Sequence, residues 1–166
     1  MVERRIITDG LKIGYNGLFD AAELYKLIDY YFRERAYTKH ELRNYEHVYP
    51  SGKQVEVVTE PYRKITDYAK YVIRVTIIMS GVKEVTVEQD GKKVKINQGE
   101  VNVQIDGFLE MDYEHRWEKK PMFYFLRTLF DQYVYKVNTE RYEAGLSTEC
   151  HDLKDQVKAF LNLYRY

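Results

Sequence analysis

From Tyr71 to Met79 an apolar side chain stands at every second position: Tyr71, Ile73, Val75, Ile77 and Met79. The same alternation returns at Val101, Val103 and Ile105 and runs on through Leu109, Met111 and Tyr113. Residues two apart share one face of a strand, so each stretch carries one continuous apolar face. Opposite the second of them stand Asn102, Gln104, Asp106, Glu110, Asp112 and Glu114, side chains suited to water. Strands wetted on one side and separated by short turns belong to an antiparallel sheet. The turns are signalled by Pro50-Ser51-Gly52, Ser80-Gly81, Asp90-Gly91 and Asn97-Gln98-Gly99, which set off further strands over 40–49 and 53–60. At the start, Ile6-Ile7-Thr8 and the alternating Leu11, Ile13 and Tyr15 flank Asp9-Gly10 and read as a strand pair closed by Asn16-Gly17.

Elsewhere the period changes to that of a helix. Leu18, Ala21, Tyr25, Ile28 and Phe32 recur at three- and four-residue steps and predict a helix over about 18–36. Pro121 suits a first helical position, and Met122, Phe125, Leu126, Leu129, Tyr133 and Val137 continue it to about 139. Ala144-Gly145 reads as a break, Ser147 or Thr148 as a cap, and Leu153, Val157 and Leu161 as the core face of a last helix over about 149–164. The expected fold is α+β, a curved antiparallel sheet of about six to seven strands packed on an N-terminal helix and two C-terminal helices. At 166 residues with 45% apolar content, the expectation is a single domain over 1–166 with a real core.

Charge narrows the function classes. The 26 basic and 26 acidic residues cancel, and no half of the chain is strongly basic, so the field needed by a dedicated nucleic-acid binder is missing. Tyr62-Arg63-Lys64 and Arg116-Trp117-Glu118-Lys119-Lys120 interleave aromatic and basic groups, but both are short. A nucleic-acid partner is therefore not expected. No apolar run approaches a membrane span and the first residues do not read as a signal peptide, so the expected location is cytoplasmic. Cys150 stands alone, which excludes an intrachain disulfide and a cysteine zinc cluster. His40, His47, His115 and His151 lack ligand spacing, and no nucleophile motif or phosphate-cradling loop is present, so no metal, cofactor or catalytic residue is expected.

The order of strand, helix, long antiparallel meander and C-terminal helix, from about Ile6 to Val137, resembles the helix-grip arrangement of the START/SRPBCC-like superfamily. Other α+β grips and cystatin-like sheets share much of that order. The resemblance implies a curved sheet wrapped around a C-terminal helix, with a cavity between them that binds an apolar or polyketide-like small molecule. Sharing a fold does not by itself establish a function.

Gly107 stands on the apolar face between Ile105 and Leu109, where a missing side chain leaves room for a helix, a bend or a ligand. Arg74 lies among Val72, Thr76 and Ile78 on a face too apolar for open water, where a covered guanidinium requires an internal carboxylate or an anionic ligand. Glu110, Asp112 and Glu114 read as a solvated row near Lys93 and Lys95. The 17 tyrosines are the compositional excess. Tyr15, Tyr25, Tyr71, Tyr113 and Tyr133 fall on inner faces, with Tyr45 and His47 as further candidates, and would give a cavity its polar fringe. Tyr30, Tyr124 and Tyr135 fall among charges on outer faces, as at a protein interface. The leading expectation is noncatalytic binding of a small apolar or amphipathic ligand between the sheet and the C-terminal helix, by Arg74, Gly107, Tyr71, Tyr113 and Tyr133. The second is a protein-interaction or structural subunit, a homodimer built on Tyr30, Tyr124 and Tyr135.

Overall fold

The computed structural model describes residues 3–111, 129 and 136–163. Its strands are β1 (Glu3–Phe19), β2 (Glu41–Tyr49), β3 (Gly52–Thr59), β4 (Tyr62–Lys64), β5 (Ala69–Gln89) and β6 (Lys92–Met111), and its helices α1 (Ala21–Glu34) and α2 (Lys136–Asn162). Among the described residues the strands form one open, curved antiparallel sheet in the order β1-β6-β5-β3-β2, with β4 also beside β5. The fold is α+β, as the alternation predicts.

The alternation also assigns the two faces. Ile73, Val75 and Ile77 on β5, Val101, Val103, Ile105 and Leu109 on β6, and Ile13 and Tyr15 on β1 are buried on one side. They form a single core with Leu24, Ile28, Tyr31 and Phe32 of α1 and Leu146, Cys150, Leu153 and Val157 of α2. Both helices therefore cover the same face. Among the described residues no helix is long and apolar enough to cross a membrane.

Several expected chain reversals are not reversals. The opening strand pair is one strand, β1, bulged between Ile6 and Leu11. Gly10 sits there at a φ of +66° and its N–H donates to Asp106 Oδ1 at 2.7 Å, which ties the bulge to β6. Ser80-Gly81 does not end a strand but bulges β5, with Gly81 at +61°. Asn97-Gln98-Gly99 lies inside an unbroken β6, and a side chain on Gly99 would meet the Ser80 carbonyl at 3.0 Å. Asn97 instead accepts the Ala21 N–H and, with Asp20 capping through the Glu23 N–H, starts α1 at Ala21, three residues after Leu18. Pro50-Ser51 and Asp90-Gly91 are hairpin turns as expected, the latter with both residues at positive φ.

The expected break at Ala144-Gly145 is also absent, because α2 runs unbroken through it. A Cβ on Gly145 would lie 2.8 Å from the Tyr71 hydroxyl, so this glycine is a notch that admits a tyrosine from the sheet. The helix expected over about 121–139 lies mostly outside the described residues. Within it Leu129 is helical but exposed, and 136–139 already belong to α2.

Candidate functional site

Residues Tyr25, Ile28, Asp29 and Phe32 share one flank of α1 because they are three and four positions apart. That flank does not close on the sheet. Between it, Tyr37 and Lys39 after the helix, and Thr59, Pro61 and Ile77 lies a half-open cleft of about 130 Å³. Its floor is apolar, formed by buried Ile28, Phe32 and Ile77. Its rim is polar and internally paired. Arg33 Nη2 donates to Asp29 Oδ2 at 2.5 Å, Lys39 Nζ lies 3.5 Å from Asp29 Oδ1, and Lys39 donates to the Tyr25 hydroxyl at 2.7 Å. Tyr25 in turn donates to Glu41 Oε2 at 3.0 Å. The Tyr25 hydrogen bond, opposed in part by burial and aided by Asp29, holds Lys39 above the usual lysine range.

Where α1, α2 and β4 meet, the inner tyrosines find their partners. Tyr31 donates to the Glu149 carbonyl at 2.8 Å, Tyr71 to the Tyr142 carbonyl at 2.7 Å, and Tyr37 to the Glu149 carboxylate. Arg63 donates to that carboxylate at 2.7 Å and lies over the rings of Tyr37 and Tyr71, while Arg35 covers Tyr31. Burial pushes the Tyr71 phenol up to about 12 and raises Tyr31 and Tyr37 further, so all three stay neutral donors. These tyrosines join elements together. Tyr15 instead donates within its own strand, to the Leu18 carbonyl at 2.5 Å.

The described residues expected to bind a ligand, Arg74, Gly107 and Tyr71, do not converge on one space. Gly107 and Tyr71 lie on the helix-covered face, whereas Arg74, paired in register with Asp106, lies on the other. At Gly107 the room is taken by α2, since an added Cβ would lie 2.8 Å from Cys150 Sγ and 3.4 Å from Leu146. Burial pushes the Cys150 thiol up to about 12, with Thr8 opposing only in part, and leaves it a packing group. Tyr113, Tyr133, Tyr124 and Tyr135 lie outside the described residues. Tyr30 is exposed and donates to Glu34, while Tyr45 and His47 are exposed on β2, away from the core.

On the open face Arg74 donates twice to Glu60, at 2.9 and 2.6 Å, and Arg4 reaches the same Glu60 oxygen at 3.3 Å. Arg4 also binds Glu110 at 2.8 and 2.5 Å, and Lys70 reaches the other Glu110 oxygen at 2.9 Å. Both guanidinium groups lie against the Phe108 ring, at 4.8 and 5.1 Å from its centre. Glu110 is thus only 8% exposed, which corrects its reading as part of a solvated row, and its partners are Arg4 and Lys70 in place of Lys93 and Lys95. The missed signal was register, because only pairing with β1 and β5 puts Arg4 and Lys70 beside Glu110. Burial alone would raise the Glu110 pKa, but hydrogen bonds from Lys70 and Arg4 outweigh it and hold the carboxyl below its usual range.

Comparisons with protein-family models, with curated proteins and with solved structures give no match.

Proposed function

We propose that this chain is a noncatalytic binding module that takes a small amphipathic molecule, with a single ring or a short branched chain, into the cleft beneath α1. The observation that carries this reading is an apolar floor of Ile28, Phe32 and Ile77 left open beneath a polar rim. Interiors are otherwise close-packed, and a space of about 130 Å³ approaches the size known to take up benzene-like molecules. The rim charges satisfy one another, which favours orienting a ligand's polar end over transferring protons to it. The element order supports a helix-grip-like arrangement, in which a ligand lies between sheet and helix. Here the open space is under the N-terminal helix.

Titration with p-cresol and with indole, followed by calorimetry and by thermal shift, tests the reading. Saturable binding is expected, and Arg33→Trp, an exposed rim substitution, lowers affinity at least tenfold while leaving the melting temperature of the free protein unchanged. Absence of binding up to solubility, or binding unaffected by that variant, refutes it.

A second reading rests on β2, all nine of whose residues are exposed and whose outer edge lies at the end of the sheet. Leu42, Tyr45, Val48 and Tyr49 are large side chains left in water there. An edge unpaired among the described residues favours a protein-interaction subunit that adds a partner strand. Light scattering of the wild type and of Val48→Lys, with a partner or dimer lost only in the variant, supports that reading. A monomer that captures no partner counts against it.

A further inference from the structure

The last turns of α2 and the edge strand β1 border a second opening, a groove of about 330 Å³. Lys12 lines it from the strand, and Lys154 and Lys158 line it from the helix, with no acidic residue among the described lining residues. Lys154 and Lys158 are four positions apart, so they stand on successive turns of one helix face, where like charges repel. None of the three lysines has an ion-pair or hydrogen-bond partner among the described residues. Lys12 and Lys158 are exposed and Lys154 is half-buried, and, unlike Arg4, Arg63, Lys70 and Arg74, none of the three reaches a carboxylate among the described residues. An uncompensated trio of ammonium groups in a groove concentrates positive potential at that place. The rest of the lining is mixed, with buried Tyr15 and Leu161 at the base and the Asn162 amide at the margin.

We propose that this groove binds a small phosphomonoester, the phosphate held by Lys12, Lys154 and Lys158 and the attached organic group lying toward Tyr15, Leu161 and Asn162. A phosphomonoester carries close to two negative charges at neutral pH, against one for a carboxylate, and so matches three cations better. Lysine ammonium groups are compact point charges that serve well as phosphate donors without a bidentate geometry. The groove is also larger than a phosphate group needs, which leaves space for a polar organic moiety whose hydroxyls Asn162 can meet. The site is separate from the cleft beneath α1, and either can fail without the other.

The full chain, ¹⁵N-labelled at low ionic strength, is titrated with ribose 5-phosphate, inorganic phosphate and ribose. Saturable shifts confined to the amides of Lys12, Gly14, Lys158 and Asn162 are expected with ribose 5-phosphate, at least fivefold weaker with inorganic phosphate and absent with ribose. Lys154→Gln and Lys158→Gln each weaken binding at least fivefold, while Lys26→Gln on α1 leaves it unchanged. Co-sedimentation with vesicles containing phosphatidic acid, lost in the same two variants, assigns the phosphomonoester to a lipid headgroup; ribose 5-phosphate binding without co-sedimentation assigns it to a soluble metabolite. Shifts that never saturate, that spread equally to exposed Lys92 and Lys93, or that survive both lysine substitutions overturn the proposal.

Discussion

The two faces of the sheet bury their residues by different means. On the covered face, two helices supply apolar contact, and the closest approach is made where side chains are missing, at Gly107 for Cys150 and at Gly145 for Tyr71. On the other face, among the described residues, no helix is packed. There Phe108 is covered by the guanidinium groups of Arg4 and Arg74, which are in turn neutralised by Glu60 and Glu110. Long cationic side chains can shield an aromatic ring while keeping contact with water. The covered face depends on shape, and the open face on charge pairing, so the two respond to different perturbations.

The sharpest way to break the covered face is Gly107→Val. Its side chain would overlap Cys150 Sγ and press on Leu146, and a loss of about 3 kcal/mol is expected in denaturant unfolding. Cys150→Ala in the same chain recovers part of that loss if the clash is with the sulfur. On the open face Glu110→Leu removes the carboxylate that Arg4 and Lys70 share, while Arg4 keeps Glu60. The loss expected is smaller, about 1–2 kcal/mol, because both cations retain some access to water.

Acid should separate the faces further. The folded-state pKa of Glu110 lies below its usual value near 4.5, so the unfolded chain binds this proton more readily. Its contribution to stability is complete above about pH 4.5 and is lost as pH falls through the folded-state value. Unfolding midpoints measured from pH 6 down to 3 should therefore fall less steeply in Glu110→Gln than in the wild type, while Gly107→Val retains the wild-type slope. Equal slopes in Glu110→Gln and the wild type would remove Glu110 from the acid response. The smallest effect is expected for Arg74→Met, about 0.5–1 kcal/mol, because methionine still covers Phe108 and Glu60 keeps Arg4. A larger loss would show that the pairing with Glu60, rather than cover of the ring, is what Arg74 provides.

Much of the sheet was legible because strand burial is written with a period of two. Ile73, Val75, Val101 and Val103 announce their side of the sheet without any knowledge of their neighbours. Glycine was less legible, since the same residue can mark a turn, a bulge or a notch. Gly81 and Gly145 took the latter two roles, which depend on what lies opposite them. The cleft was legible only in part. Ile28, Phe32 and Ile77 read as core, and nothing local distinguishes a core residue from one that floors an opening. Lys12 and the pair Lys154 and Lys158 are separated by more than a hundred positions, and their meeting needed α2 to return against β1.

Sequence alone determined the α+β class, the apolar face of each long strand, the helical period of α1 and the balance of charge. Each of these follows from the local geometry of the backbone or from simple addition of residues. Tertiary structure decided that Arg74 and Gly107 act on opposite faces, that Glu110 is paired rather than solvated, and that the open spaces lie beneath α1 and beside the end of α2. Those outcomes depend on which distant groups meet, and that is governed by strand register and helix placement rather than by neighbours along the chain.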